Sequence, residues 1–260
     1  MQAGISTACL YPATTEESFG ALAAFGPSCV EVFLNTLCEL APGYLRDLRK
    51  LADDNGISVA SVHPYYSGME PMFFFSRYER RFFEGMEIYR RFYEAASILG
   101  AQTLVFHGDY KDSALERDAY FERFGRLWED ARRHGIALCQ ENVERCKSGD
   151  VEFLAAMVKE LPHIRYVLDV KQAVRAGQDV LQMAKVLGEK IQNVHLSDHD
   201  STRECLLPGK GTFNIRGFLS AIASTGFDGA VILEVYGESF NNNVELSAGY
   251  QHISTIISTH

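Results

Sequence analysis

Four short apolar runs each end in a metal-ligand side chain: ALCQE in Glu141, YVLD in Asp169, NVH in His195 and VILE in Glu234, with gaps of 28, 26 and 39 residues. One strand–helix unit of a closed α/β barrel takes about 30 residues, so the spacing assigns these side chains to four successive strand ends. In a (β/α)8 barrel such ends converge on one mouth, where the active site lies. Three carboxylates and one imidazole there suit a hard divalent cation such as Mn²⁺ or Mg²⁺ better than a thiolate-rich zinc site would. Taken singly, each residue has a bland role: Asp169 a loop cap, His195 a buried histidine, Glu141 and Glu234 members of surface pairs. Jointly they do not, because a carboxylate closing an apolar strand is costly to bury unless paired or metal-bound.

The rest of the chain repeats the same alternation. Strands are predicted at 3–10, 28–34, 57–63, 102–107, 136–141, 165–170, 191–196 and 230–235. Helices are predicted at 15–25, 43–55, 77–99, 115–134, 150–160, 178–188, 214–225 and 244–257. Thr14 and Thr15 before Glu16 and Glu17 mark a helix start, and Gly56, Gly100 and Gly135 mark helix ends. Strand–helix alternation without consecutive strands implies a parallel sheet. An open doubly wound sheet has the same order, but it would spread the four ligands apart, so closure is favoured. The expectation is one α/β domain over 1–260, a (β/α)8 TIM barrel. One loop is unusual: 64–76, PYYSGMEPMFFFS, after the third strand. It packs over the core, meets another subunit of a homo-oligomer, or forms a lid that excludes water from the mouth.

The net charge of −9 argues against a nucleic-acid partner, since duplex binding depends on Lys and Arg displacing counterions. No apolar run approaches the ~18 residues of a membrane helix, so no membrane partner is expected. The N-terminal MQAGISTACLY lacks a basic segment followed by an apolar one, so no signal peptide is expected. Six cysteines show neither CxxC pairing nor a small-domain framework, and the chain reads as cytoplasmic.

On the ENVER segment from Glu141, the LD at Asp169, VHLSDHD with His195, PGKG at Pro208 to Gly211 and LEVY with Glu234, the chain resembles the xylose isomerase-like superfamily of TIM barrels, the sugar and sugar phosphate isomerases and epimerases. The resemblance covers essentially the whole chain. It implies one divalent metal, Mn²⁺ first and Mg²⁺, Co²⁺ or Zn²⁺ as alternatives, held by Glu141, Asp169, His195 and Glu234. It also implies that Glu141 and Glu234 act as acid and base on a sugar or polyol. The chemistry is consistent: a metal chelating a carbonyl and its neighbouring hydroxyl acidifies the α-proton and stabilises an enediolate, and carboxylates on two faces can remove and return that proton.

The strand-6 pattern of this superfamily is commonly Asp-x-x-His, whereas here it reads DVKQ. Gln172 can hydrogen-bond a sugar hydroxyl but does not titrate. Lys171 is either an oxyanion or phosphate ligand or a solvated surface lysine. His63 and His107 close two earlier strands as substrate contacts, structural histidines or ligands of a second metal, as in the related apurinic-site endonucleases. Glu31 is a further mouth candidate for substrate contact, and Arg145 pairs with a site carboxylate or with substrate. PGKG offers backbone N–H groups to an anion or is a turn, with Asn214 capping the next helix. An isomerase or epimerase is therefore expected first. A dehydratase of inosose or dehydroshikimate type, which needs the same acidified proton, is the alternative. An apurinic-site endonuclease is disfavoured by Gln172 and by the charge, and nothing favours a non-catalytic barrel.

Overall fold

The computed structural model describes residues 1–259. Eight parallel strands close into a barrel in chain order: β1 (Gln2–Ser6), β2 (Cys29–Leu34), β3 (Ser58–Pro64), β4 (Thr103–Phe106), β5 (Ala137–Glu141), β6 (Arg165–Asp169), β7 (Ile191–Leu196) and β8 (Ala230–Leu233). The seam is β1 on β8, from Gln2↔Ala230 to Ile5↔Leu233. An open sheet lacks that pairing, so the (β/α)8 expectation holds.

The helices are α1 (Thr15–Ala23), α2 (Pro42–Asp54), α3 (Glu70–Phe74), α4 (Glu79–Leu99), α5 (Arg117–Arg133), α6 (Val151–Glu160), α7 (Val170–Arg175), α8 (Val180–Leu187), α9 (Ile215–Ala223) and α10 (Asn243–Ser258). Thr14 and Glu17 form the reciprocal cap of α1, and Gly100, at φ +77°, ends α4. Two helices exceed the expected eight. α7 follows Asp169 directly, because the Asp169 carboxylate accepts from Gln172 N at 2.8 Å and caps it. α3 lies within the segment read as a loop.

Strand 1 is also shorter than predicted. It stops at Ser6, where the Ser6 hydroxyl accepts from Ala8 N and starts a tight turn over Thr7–Leu10. β8 ends at Leu233, but Glu234 N still donates to Leu196 O at 3.1 Å, so the ladder to β7 carries its side chain into place.

Alternate residues of a strand face the same side. Val105, Cys139 and Val167 form one small apolar cluster and Cys29, Ala230 and Ile232 another, both separate from the main core beneath the helices. Two residues further along the same strands stand His107, Glu141, Asp169, Glu31 and Glu234. The apolar layers inside the barrel therefore set the face on which the polar residues emerge.

The three phenylalanines of the 64–76 segment pack inward. Phe74 meets Phe82, Tyr89 and Phe106 with ring centroids 5.8, 4.9 and 5.8 Å apart. Phe75 stacks on Tyr120 at 4.4 Å. Gly85 of α4 makes this contact feasible, since a Cβ there would lie 2.6 Å from the Phe74 ring and 2.8 Å from Phe73 Cβ. Gly85→Ala is therefore expected to destabilise by about 1–3 kcal/mol, despite alanine's better helix propensity. A lower urea midpoint with an unchanged far-UV spectrum is the expected reading; an unchanged midpoint would mean the contact yields freely.

Candidate metal centre and acid–base site

β5 to β8 bring Glu141, Asp169, His195 and Glu234 together, all buried, with one ligand atom from each lying within 4.8 Å of the others. His195 Nδ1 is 3.2 Å from Glu141 Oε1, 3.4 Å from Glu234 Oε2 and 3.7 Å from Asp169 Oδ2. One ring nitrogen carries at most one hydrogen, so it cannot serve three carboxylates by hydrogen bonding. Ligand atoms about 2.1 Å from a shared ion stand about 3.0–3.5 Å apart, close to this spacing. Asp169 Oδ2 is buried without a hydrogen-bond partner. With Glu31, four buried carboxylates face a single buried lysine, Lys171, an excess of negative charge that a divalent cation would offset. The donor set fits such an ion. Two overlapping groups, His63–His107–Glu141 and Glu31–His63–Glu234, have comparable spacing.

The other strand-end histidines belong to the same cluster. His107 Nε2 lies 2.8 Å from Glu141 Oε2 and 2.9 Å from His63 Nε2. Arg145 Nη2 is 3.1 Å from His107 Nδ1. A guanidinium only donates, so His107 accepts at Nδ1 and carries its proton on Nε2, facing Glu141 and His63. Burial pushes the His107 pKa down, against the pull of Glu141. Arg145 thus meets a histidine in place of a site carboxylate, the first of its two expected partners, and still borders the cavity where the second, substrate, would lie.

Lys171 is not a surface lysine. It is 3% exposed, with Nζ 2.9 Å from Glu234 Oε2 and 3.5 Å from Asp169 Oδ2. Burial alone would lower its pKa, but Asp169 and Glu234 outweigh this and raise it well above the usual lysine value. Burial works against Glu234 as well, and Lys171 with His195 holds its carboxyl well below the usual range. The Tyr236 ring lies 4.7 Å from the Lys171 ammonium and 4.9 Å from the Arg175 guanidinium. Gln172 Oε1 accepts from Glu144 N at 3.1 Å and so holds the β5 loop, though the residue still borders the cavity.

That cavity, about 330 Å³, is lined by the polar side chains of His63, His107, Arg145 and Lys171, by the rings of Tyr11, Phe33 and Tyr236, and by Glu141 and Glu234. Glu31 does not reach it. The residue is fully buried, with Oε2 2.9 Å from His195 Nε2, so the expected substrate contact is replaced by contact with His195. Strand alternation marks Glu31 as inward-facing, but its contact with β7 exists only once the ring has closed.

Several participants escaped the sequence reading. Asn142 donates to Asp169 O at 2.9 Å and accepts from Asp169 N at 2.6 Å, fixing that ligand's backbone. Glu70, the only acid in the aromatic segment, accepts from His107 N at 2.8 Å, Gly108 N at 2.6 Å and the Tyr89 hydroxyl. Asp198 accepts from His199, Gly209, Gly211 and Phe213 N–H groups at 2.8, 2.9, 3.0 and 3.0 Å. The glycine-rich PGKG loop therefore wraps an internal carboxylate, and Asn214 caps α9 through Gly217 N at 3.0 Å. Asp198→Ala is expected to leave these N–H groups without an acceptor. Amide exchange should then rise over 199–213 while the barrel strands stay protected; unchanged protection there would show that the loop is held by other contacts.

The fold agrees with what the chain is similar to. It belongs to the xylose isomerase-like TIM barrel family, whose model matches residues 19–256. An uncharacterized protein of Mycobacterium tuberculosis H37Rv is 26% identical, covering 90% of this chain and 89% of that one. A 3-dehydroshikimate dehydratase of Pseudomonas aeruginosa is 24% identical over 92% of this chain, which spans 39% of that longer protein. Among solved structures, D-psicose 3-epimerase crystallised in the presence of D-fructose superposes with a TM-score of 0.78 at 17% identity, over 100% of this chain and 98% of that one. The IolI protein with a binding zinc atom gives 0.77 at 17% identity, over 100% and 97%. Among the described residues no helix is long and apolar enough to cross a membrane.

Proposed function

We propose that this chain is a divalent-metal-dependent isomerase or epimerase of a sugar or sugar phosphate, with Glu141, Asp169, His195 and Glu234 as metal ligands. The observation that carries this reading is the single His195 nitrogen facing three carboxylate oxygens from three other strand ends at 3.2–3.7 Å. When bound, the ion would polarise a carbonyl and its neighbouring hydroxyl and acidify the C–H beside them. Mn²⁺ is the first expectation, because oxygen donors outnumber nitrogen three to one in this set and such sets suit hard cations.

Glu141 and Glu234 are the groups that exchange the proton. Lys171 at 2.9 Å keeps Glu234 ionised and ready to accept, and His107 at 2.8 Å supplies a donor to Glu141. The rings of Tyr11, Phe33 and Tyr236 line the cavity and limit water at the reacting carbon. Arg145 and Gln172 stand at the rim as substrate contacts, with Arg145 the better anion ligand. His63 reaches both Glu31 and Glu234, at 3.5 and 3.7 Å, and lines the cavity.

Dehydration is the second reading, favoured by the similarity to the Pseudomonas 3-dehydroshikimate dehydratase. It starts with the same proton abstraction and differs in what leaves. The test is to strip the protein of metal, reload it with Mn²⁺ and incubate it in deuterated water with a panel of ketoses and with 3-dehydroshikimate. Metal-dependent deuterium incorporation beside the carbonyl of at least one ketose is expected. Loss of water from 3-dehydroshikimate, with no exchange on any ketose, would replace the first reading with the second.

A further inference from the structure

Glu31 has no function in the reaction as described, yet it is a fully buried carboxylate inside the barrel, a position usually filled by Val, Ile or Leu. The fold is built to admit it. Between β2 and β3 the register slips from Val30↔Val59 to Glu31↔Ser61, and on the other side Glu31 pairs with Ser6. Without the slip Glu31 would stand beside Ala60, which has no side-chain donor. With it, Ser61 Oγ donates to Oε2 at 2.7 Å and Ser6 Oγ to Oε1 at 3.3 Å. Such irregularities re-aim side chains near functional sites.

The remaining strong contact is His195 Nε2, 2.9 Å from Glu31 Oε2. A neutral imidazole has one N–H and one lone pair, and the two His195 nitrogens face different environments. Nε2 has Glu31; Nδ1 has Glu141, Asp169 and Glu234. If the proton sat on Nδ1, it would point at the ligand oxygens and block coordination there.

From this geometry we infer that Glu31 is a positioning residue: it keeps the His195 proton on Nε2 and so directs the Nδ1 lone pair at the metal site. The inference rests on the metal reading above. Outer carboxylates on ligand histidines fix tautomer and ring orientation in this way, and their loss costs about 10–100-fold in metal affinity. The Ser6 and Ser61 hydroxyls fix the Glu31 carboxylate in turn, so three strands, β1, β2 and β3, support a ligand carried by β7.

The test compares wild type, Glu31→Gln and Glu31→Leu, each checked for folding by circular dichroism. Mn²⁺ affinity is measured by competition with a chelator of known strength. Burial works to lower the His195 pKa, but without metal the surrounding carboxylates outweigh it and raise the pKa well above the usual imidazole value. Nitrogen NMR of labelled histidine therefore reads the tautomer of the metal-free proteins at a pH above that titration, assigned with His195→Gln. Once His195 is neutral, wild type should show an Nε2–H tautomer. In Glu31→Leu the proton should move to Nδ1, toward Glu141, and Mn²⁺ affinity should fall by about 10–100-fold. Glu31→Gln keeps an acceptor oxygen but a weaker one, so a loss of several-fold and a shifted imidazole signal are expected.

Wild-type affinity and an unchanged Nε2–H signal in Glu31→Leu would overturn the inference. Should that variant not fold, the same result in Glu31→Gln rejects it. If wild type binds no divalent ion, the proposed function fails instead, and the imidazole signals of the variants still decide whether Glu31 sets the tautomer.

Discussion

Replacing Glu234 with Gln is expected to leave the barrel folded and to lower turnover by about 10²–10⁴-fold, the usual cost of losing one acid–base group. The amide keeps an oxygen that can reach the ion but no longer accepts a proton, so loss of the base is separated from loss of the fold. Weaker metal binding could mimic the effect. Metal content must therefore be measured on each variant, at saturating Mn²⁺. Glu141→Gln should fall by a comparable factor. The two variants become informative when α-hydrogen exchange is followed separately from product formation. In a two-base epimerase each glutamate serves one face of the substrate, so one variant should still exchange the hydrogen on its own side. Equal loss of exchange in both variants would point to a relay through one base. Turnover of either variant within about threefold of wild type, against the 10²–10⁴-fold expected, would remove that glutamate from the chemistry.

The largest stability effect is expected at Lys171. Its ammonium is 2.9 Å from Glu234 and 3.5 Å from Asp169, and all three side chains are buried. Lys171→Met keeps the length of the side chain but removes the charge, leaving two buried carboxylates without their lysine. Breaking a buried pair from one side costs about 3–5 kcal/mol, so the metal-free variant should unfold at a clearly lower urea concentration. A divalent ion neutralises the same oxygens, and a ligand that binds only the folded state stabilises it. Mn²⁺ should therefore recover part of the loss, and more in the variant than in wild type. Equal urea midpoints for the two proteins in chelator would mean that the carboxylates tolerate the loss of their cation, and that the ion pair contributes little.

The barrel and the meeting of its four strand-end side chains were legible in the linear order because both rest on repetition. Each strand–helix unit returns the chain to the same end of the barrel, so apolar runs closing on Glu141, Asp169, His195 and Glu234 needed no knowledge of packing to be placed together. The segment 64–76 was harder. Its aromatics gave no periodic signal, and nothing in the sequence singled out Glu70; only the approach of α3 to β4 shows it holding the His107 and Gly108 amides. Lys171 was left open between an anion ligand and a solvated lysine, because only a strand continuing past Asp169 would have faced it the same way. The Asp169 carboxylate starts a helix instead and swings Lys171 inward.

What the sequence determined by itself is the set of side chains that periodicity aligns: the strand-end ligands, the inward faces of the strands and the number of units that close the ring. What only the tertiary structure decided is which of those side chains touch across the barrel. Glu31 and His195 are separated by 164 residues, and their contact depends on a one-residue slip between β2 and β3 that no local pattern encodes. The proton position on His195, the burial of Lys171 and the closure of PGKG around Asp198 are all set at that level. They are contacts between separate strands and loops, and their geometry exists only after the ring has closed.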